Sequence, residues 1–171
     1  QFLLMIALAL IVCLSAVGAT RIAFNKETQE DNGPEFAKVI EAAIRVELKK
    51  PTGELTEADL ARVAKLSLSD TQIIDKGLKD VAKLKHLKRL ELGFTQITDE
   101  GIKEVVKLKQ LTFLYLNGCK QVTDAGLKQL TNLQQLKELF VGGTNITDTG
   151  LKDISKLQKI LFQPESMIFY C

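Results

Sequence analysis

A repeat of about 24 residues is the feature that most limits how this chain of 171 residues can fold. Four segments share apolar residues at their first, fourth and sixth positions, and they begin at Val63, Leu87, Leu111 and Leu136, spaced 24, 24 and 25 residues apart. In the second half of each segment an Asp stands two residues before a Gly and three before a Leu or Ile. Repeats of this length predict a stacked architecture, because one repeat cannot bury its own apolar face.

Each repeat predicts one short strand and one helix. The alternation in x-x-L-x-L has a period of two and indicates a strand with its leucines on one side. After the Asp, the apolar residues have helical spacing, which predicts a helix with one buried face. We expect each Asp to be the helix N-cap, with its carboxylate accepting from backbone amides of the first turn. These Asp residues are Asp75, Asp99, Asp124 and Asp148, and the apolar stripes are Leu78/Val81/Leu84, Ile102/Val105/Leu108, Leu127/Leu130/Leu133 and Leu151/Ile154/Leu157.

The L-x-x-L-x-L core and the period resemble the leucine-rich repeat family over residues 63–160. The Thr-Asp-x-Gly-Leu phrase resembles the cysteine-containing subclass, known from F-box receptor proteins, and also secreted bacterial members of the family. The resemblance implies an α/β solenoid that binds proteins, with short parallel strands on its concave face and helices on its convex face. At the family's usual Asn or Cys position stand Thr71, Thr95, Cys119 and Thr144. We expect these side chains to point inward and bond backbone at the turn, which makes Cys119 a buried structural residue.

The chain divides into five segments. Residues 1–19 are almost wholly apolar, and Val17 and Ala19 fit a cleavage site, so this segment is a signal peptide or a retained membrane anchor. Residues 20–33 are polar and predict a flexible linker. Residues 34–62 predict a helical N-terminal cap, residues 63–160 the four repeats, and residues 161–171 a degenerate or truncated tail, because Gln163 and Pro164 break the repeat pattern.

The N-terminal cap is needed because a solenoid exposes apolar surface at its ends. Apolar residues at helical spacing predict an amphipathic helix over residues 34–49, namely Phe36, Val39, Ile40, Ala43, Ile44 and Leu48. Pro51 interrupts this helix. A capping box from Thr56 to Asp59 then predicts a second, short helix before the first repeat.

The sequence contains no pattern that indicates catalysis or cofactor binding. His86 is the one histidine, and we expect it to be exposed in a turn. Neither a metal-ligand cluster nor a phosphate-binding glycine loop is present, so we predict no enzymatic activity, metal or cofactor. With 23 Lys+Arg against 21 Asp+Glu, and with lysines interleaved with acids on the helices, the charge pattern favours solvated helix surfaces over nucleic-acid binding.

The outward side chains of the strands form the candidate binding surface. Eight residues are predicted to contact a ligand there: Arg89, Glu91, Phe94, Phe113, Tyr115, Asn117, Glu138 and Phe140. Four of the chain's ten aromatic residues belong to this set, and exposed rings bordered by Arg and Glu are typical of binding hot spots. In the alternative interpretation, the rings pack on each other or lie beneath the apolar tail.

The function predicted from these features is a non-catalytic module, exported from the cell, that binds a protein or peptide ligand. Contact with a membrane is expected only through residues 2–19, if that segment is retained. Two alternatives stay open: the recognition domain of a larger signalling or enzymatic protein, and an intracellular adaptor resembling F-box receptors.

Overall fold

A computed structural model of the chain describes residues 33–154. The predicted leader (1–19), most of the linker (20–33) and the tail (161–171) lie outside the described residues. Two helices come first, α1 (Gly33–Leu48) and α2 (Glu57–Ala61). Strands and helices then alternate: β1 (Lys65–Ser67), α3 (Asp75–Val81), β2 (Arg89–Glu91), α4 (Asp99–Val105), β3 (Phe113–Tyr115), α5 (Asp124–Leu130), β4 (Glu138–Phe140) and α6 (Asp148–Ile154).

The four strands form one parallel sheet in chain order, β1-β2-β3-β4. The register advances by one repeat from strand to strand, so that Leu66 pairs with Leu90, Leu90 with Leu114 and Leu114 with Leu139. All four leucines are buried. The predicted α/β leucine-rich repeat solenoid is confirmed.

The core runs without interruption through the stack. In the first three repeats, all the predicted helix-face residues are buried. The helices are shorter than the apolar stripes, however: Leu84, Leu108 and Leu133 follow the helix ends and fill the core from the connection to the next strand. Within residues 33–154, no helix is long and apolar enough to cross a membrane.

The N-terminal cap forms as predicted. Helix α1 buries Phe36, Ile40 and Ile44 against the first repeat. At the start of α2, the Thr56 hydroxyl accepts from the Asp59 amide, and the Asp59 carboxylate accepts from the Thr56 amide at 3.0 Å. Lys50 Nζ donates to the same carboxylate at 2.7 Å, which lowers the pKa of Asp59.

The prediction that the repeated Asp is the helix N-cap is wrong. Thr98 and Thr123 are the N-caps of α4 and α5, and their hydroxyls accept from the amides of Glu100 (3.1 Å) and Ala125 (3.2 Å). Asp99 instead reaches across to the next repeat, where it accepts from the Thr123 amide (2.9 Å) and hydroxyl (2.7 Å). Two donors on the stacked neighbour satisfy both of its oxygens.

The same bonds recur at the two adjacent repeat junctions. Asp75 accepts from the Thr98 amide and hydroxyl at 2.8 and 2.7 Å, and Asp124 accepts from those of Thr147 at 2.8 and 2.6 Å. These bonds also explain the Gly two residues after the Asp in the second, third and fourth repeats. A Cβ at Gly126 would lie 2.3 Å from Asp99 Oδ1, so the carboxylate occupies the space that a side chain would need.

The residues at the turn position bond backbone as expected. The hydroxyls of Thr71, Thr95 and Thr144 donate to the carbonyl three residues earlier, at 2.7, 2.6 and 2.6 Å. Cys119 is fully buried, and its thiol donates to the Leu92 carbonyl of the preceding repeat at 3.0 Å. Burial raises the pKa of this thiol, so Cys119 has a structural role.

Candidate functional site

The outward side chains of β1–β4 form a single surface, here called the strand face. The sheet register aligns Lys65, Arg89, Phe113 and Glu138 in one row across the strands. A second row consists of Ser67, Glu91, Tyr115 and Phe140. The predicted residues of the strands therefore lie together, as the period of the repeat implies.

Three aromatic rings and one guanidinium pack together on the strand face. The ring centroids of Phe113 and Phe140 are 5.3 Å apart, and those of Tyr115 and Phe140 are 5.7 Å apart. The Arg89 guanidinium lies 3.5 Å from the Phe113 centroid on its ring face, in the geometry of a cation–π contact. Phe113 is consequently only 8% exposed, whereas Tyr115 and Phe140 are half-buried. The rings do pack on each other, but two of them keep an accessible edge.

Three polar residues on β1 and β2, beside the rings, form hydrogen bonds with one another. Arg89 Nε donates to Glu91 Oε1 at 2.7 Å, and Ser67 Oγ donates to Glu91 Oε2 at 2.9 Å. Glu138, at the far end of the row, is exposed. The strand face therefore has a basic residue, Lys65, at its β1 end, and rings on β3 and β4 with an exposed acid, Glu138, beside them.

Asn117 has a structural contact that the sequence pattern did not reveal. Its Oδ1 accepts from the Gly142 amide of the next repeat at 2.7 Å. Ser69 occupies the position two repeats earlier, and its hydroxyl accepts from the Gly93 amide at 3.1 Å. Part of the hydrogen-bonding capacity of Asn117 is therefore used to join two repeats.

Phe94 differs from its structural equivalents. It stands three residues after the strand end, where the backbone turns with a positive φ of 55°. The same turn uses Asp70 (59°), Gly118 (75°) and Gly143 (68°) in the other repeats. Phe94 is 61% exposed, and its ring lies on Gly118, where a Cβ would be 2.4 Å from its Cδ1. A bulky residue is rare in this conformation and is strained there.

A groove that the sequence reasoning missed lies between α1 and the first two strands. Its lining comes from one side of α1 and from the β1 end of the strand face: Ala43, Val46, Glu47, Lys49, Lys65, Leu66, Ser67, Arg89 and Glu91. Val46 is 78% exposed. The sequence does contain a signal for this groove, because Val46 is an apolar residue that lies outside the buried stripe of the predicted cap helix.

The part of the chain that the structure describes provides no cluster of side chains for metal binding. No group of three or more His, Cys, Asp or Glu side chains within 33–154 could hold a metal ion. His86 is exposed in the turn before β2, as expected. On the helix surface, lysines pair with acids within one turn, as in Lys83–Asp80 at 2.7 Å and Lys107–Glu104 at 2.7 Å.

These observations define a leucine-rich repeat protein, and a family profile described as Leucine Rich repeat matches residues 83–106 and 132–155. The chain resembles bacterial internalins. It is 30% identical to an internalin (inlF) from Listeria monocytogenes, with a TM-score of 0.55, over 71% of this chain and 34% of that one. An internalin C2 (inlC2) from the same organism is 21% identical, with a TM-score of 0.43, over 71% and 70%. The chain thus spans about a third of the length of the first internalin, and no curated protein matches it by sequence.

Proposed function

We propose that this leucine-rich repeat protein is a protein-binding module and that its ligand docks on the strand face. The observation that carries the proposal is the pair of contacting, half-buried rings of Tyr115 and Phe140, with Phe94 exposed in the turn after β2. Aromatic side chains with charged neighbours are enriched at the energetic centres of protein interfaces. The likeness to internalins supports a role in recognition, since leucine-rich repeat proteins bind protein ligands.

The accessible part of the strand face suits a ligand with apolar side chains at its centre. Tyr115 and Phe140 are already in contact, so little side-chain freedom is lost when a ligand covers them. Lys65, two strands away from Phe113, and Glu138, beside Phe113, lie at opposite ends of one row and favour one orientation of a ligand with charges at both ends. Phe113, covered by Arg89 and Phe140, supports the neighbouring rings and offers little contact surface.

A second candidate is that the module is the recognition domain of a longer polypeptide, because the chain aligns with 34% of the matched internalin. In either case we propose that the module is exported, on the strength of the apolar leader at residues 1–19.

The test is alanine substitution on the strand face. The full chain is used to isolate a partner from the extracellular fraction of its source, and the purified partner is then titrated by calorimetry. Tyr115→Ala and Phe140→Ala are each expected to weaken binding at least about tenfold, as hot-spot truncations do. Lys79→Ala, an exposed residue of α3, is the control and should bind like the wild type. If both aromatic variants fold and bind with unchanged affinity, the ligand does not dock here.

A further inference from the structure

The first strand of the sheet has an edge that no other described strand covers. Leu68 N donates to Glu91 O (2.8 Å) and Arg89 N donates to Ala64 O (3.0 Å), so even-numbered residues of this segment face β2. Because backbone groups alternate in direction along a strand, Lys65 and Ser67 direct their N–H and C=O groups to the opposite edge. Within residues 33–154, no strand lies on that side, since β1 is terminal in the sheet order.

The groove described above adjoins this edge. Its lining includes all three residues of β1 together with Ala43, Val46 and Glu47, which share one side of α1. Val46 exposes most of its apolar surface there. Free backbone hydrogen-bonding groups beside an apolar contact are the features by which an extended peptide is recognised at a sheet edge.

We propose that this groove binds an extended, acidic peptide segment of a protein partner, which pairs with β1 as an additional strand. The charges indicate the acidic character. Arg89 and Glu91 are bonded to each other, which leaves Lys49 and Lys65, both exposed, against Glu47 alone. An acidic side chain next to Lys65 and an apolar one against Val46 complement this lining. The groove shares Lys65 and Arg89 with the strand face but includes none of its rings, and this proposal does not depend on the function proposed for the rings.

A second copy of the chain is a poorer occupant of the groove. Pairing of two β1 edges would bring the lysines of both grooves onto one interface, and like charges facing each other across strands are destabilising. The partner strand is therefore expected to come from a different, acidic sequence.

The probe is a phage-displayed library of random 12-residue peptides, selected on the full chain and resynthesised. Selected peptides are expected to combine acidic and apolar residues. Binding should slow amide exchange at Lys65 and Ser67, whereas Leu66, already bonded to β2, should change little. Protection that alternates along β1 in this way results from strand pairing, whereas side-chain contact alone does not produce it.

Two variants of one residue give the matched comparison. Ser67→Pro removes an amide that faces the free edge, where proline is tolerated, and should weaken peptide binding at least about tenfold. Ser67→Ala removes only the hydroxyl bond to Glu91 and should keep the affinity within about twofold. If Ser67→Pro does not fold, Val46→Glu replaces it as the test, because this position is exposed and the substitution should not affect folding. Val46→Glu is expected to weaken the binding of acidic peptides.

Several results would overturn the proposal. The selection could yield no acidic peptides, or the selected peptides could leave amide exchange at Lys65 and Ser67 unchanged. All variants could bind the peptides with equal affinity, or exchange at these two amides could slow without peptide because the chain self-associates. Tyr115→Ala distinguishes the two proposed sites. Peptides that bind at the β1 edge should bind the Tyr115→Ala variant and the wild type with the same affinity, whether or not the substitution weakens binding of the strand-face ligand.

Discussion

One backbone position shows how a single residue can conflict with its local geometry. The turn after each strand needs a positive φ, which glycine adopts freely and Asp tolerates, whereas a left-handed conformation costs other residues about 1–2 kcal/mol. Gly118, Gly143 and Asp70 follow this rule, and Phe94 breaks it. The ring of Phe94 rests on Gly118, so glycine at this position of the next repeat both suits the positive φ and leaves room for the ring.

We predict that Gly118→Ala destabilises the protein by about 2 kcal/mol, because the new methyl group meets the Phe94 ring and the backbone remains at positive φ. In a Phe94→Ala background the steric part disappears, and the cost should fall to about 1 kcal/mol. Urea unfolding of the four proteins in a double-mutant cycle measures this coupling. Equal costs in both backgrounds would show that the ring does not rest on Gly118.

At the scale of elements, each helix is stabilised mainly by its neighbours. Helices α3 to α6 are 7 residues each, which is too short to be stable alone in water. In α4, α5 and α6, the threonine before the helix joins the helix start to the Asp of the preceding repeat. Helix α3 has no such partner: its N-cap is Ile74, which makes no side-chain cap, and α1 packs against it instead.

We predict that one of these junctions is sensitive to acid. The hydroxyl and amide of Thr147 lower the pKa of Asp124 below its ordinary value of about 3.9. Since the folded pKa lies below the unfolded one, the stabilisation is complete above about pH 4 and is lost as the pH falls through the folded pKa. Asp124→Asn should therefore flatten the decline in stability below pH 4, measured by thermal unfolding between pH 2 and 7.

Asp70→Asn, at an exposed turn, removes the same charge and serves as the matched control. If both variants show the same pH dependence, the Asp124–Thr147 bonds do not contribute to acid sensitivity.

At the scale of the whole molecule, one continuous core makes stability depend on how the stack begins. Helix α1 supplies apolar side chains where a preceding repeat would otherwise be needed, and Ile40 and Ile44 are fully buried there. In repeat proteins, such caps cover apolar surface that no neighbour buries. The cap also forms one wall of the groove beside β1, so it both completes the core and shapes a surface.

We predict that Ile44→Ala lowers the free energy of unfolding by about 3 kcal/mol through the cavity it leaves. Val46→Ala, two residues away on the exposed side of α1, should cost less than about 0.5 kcal/mol. Urea unfolding measures both values. Amide exchange in Ile44→Ala should become faster in β1 before β3, since loss of the cap acts first on the adjacent repeat. A uniform acceleration would mean that the stack opens only as a whole.

Much of the candidate site follows from the repeat alone. A fixed period places equivalent residues side by side, so the rows of the strand face follow from the sequence, and the sheet register matches them. Contacts between repeats could not be derived in this way. Sequence spacing gives the position of Asp99 along the helix, but its bonds to Thr123 depend on how closely the next repeat stacks.

By itself, the sequence determined the architecture: the period fixes one strand and one helix per repeat, and the apolar positions must be buried between copies. Only the tertiary structure decided which strand-face residues remain accessible, that Phe94 adopts a positive φ, and that a groove adjoins the free edge of β1. The physical reason is that periodicity encodes what neighbouring repeats share. The exposure of a side chain and the strain of its backbone depend on how that side chain packs against the residue stacked beside it. The free edge of the sheet depends on where the stack begins.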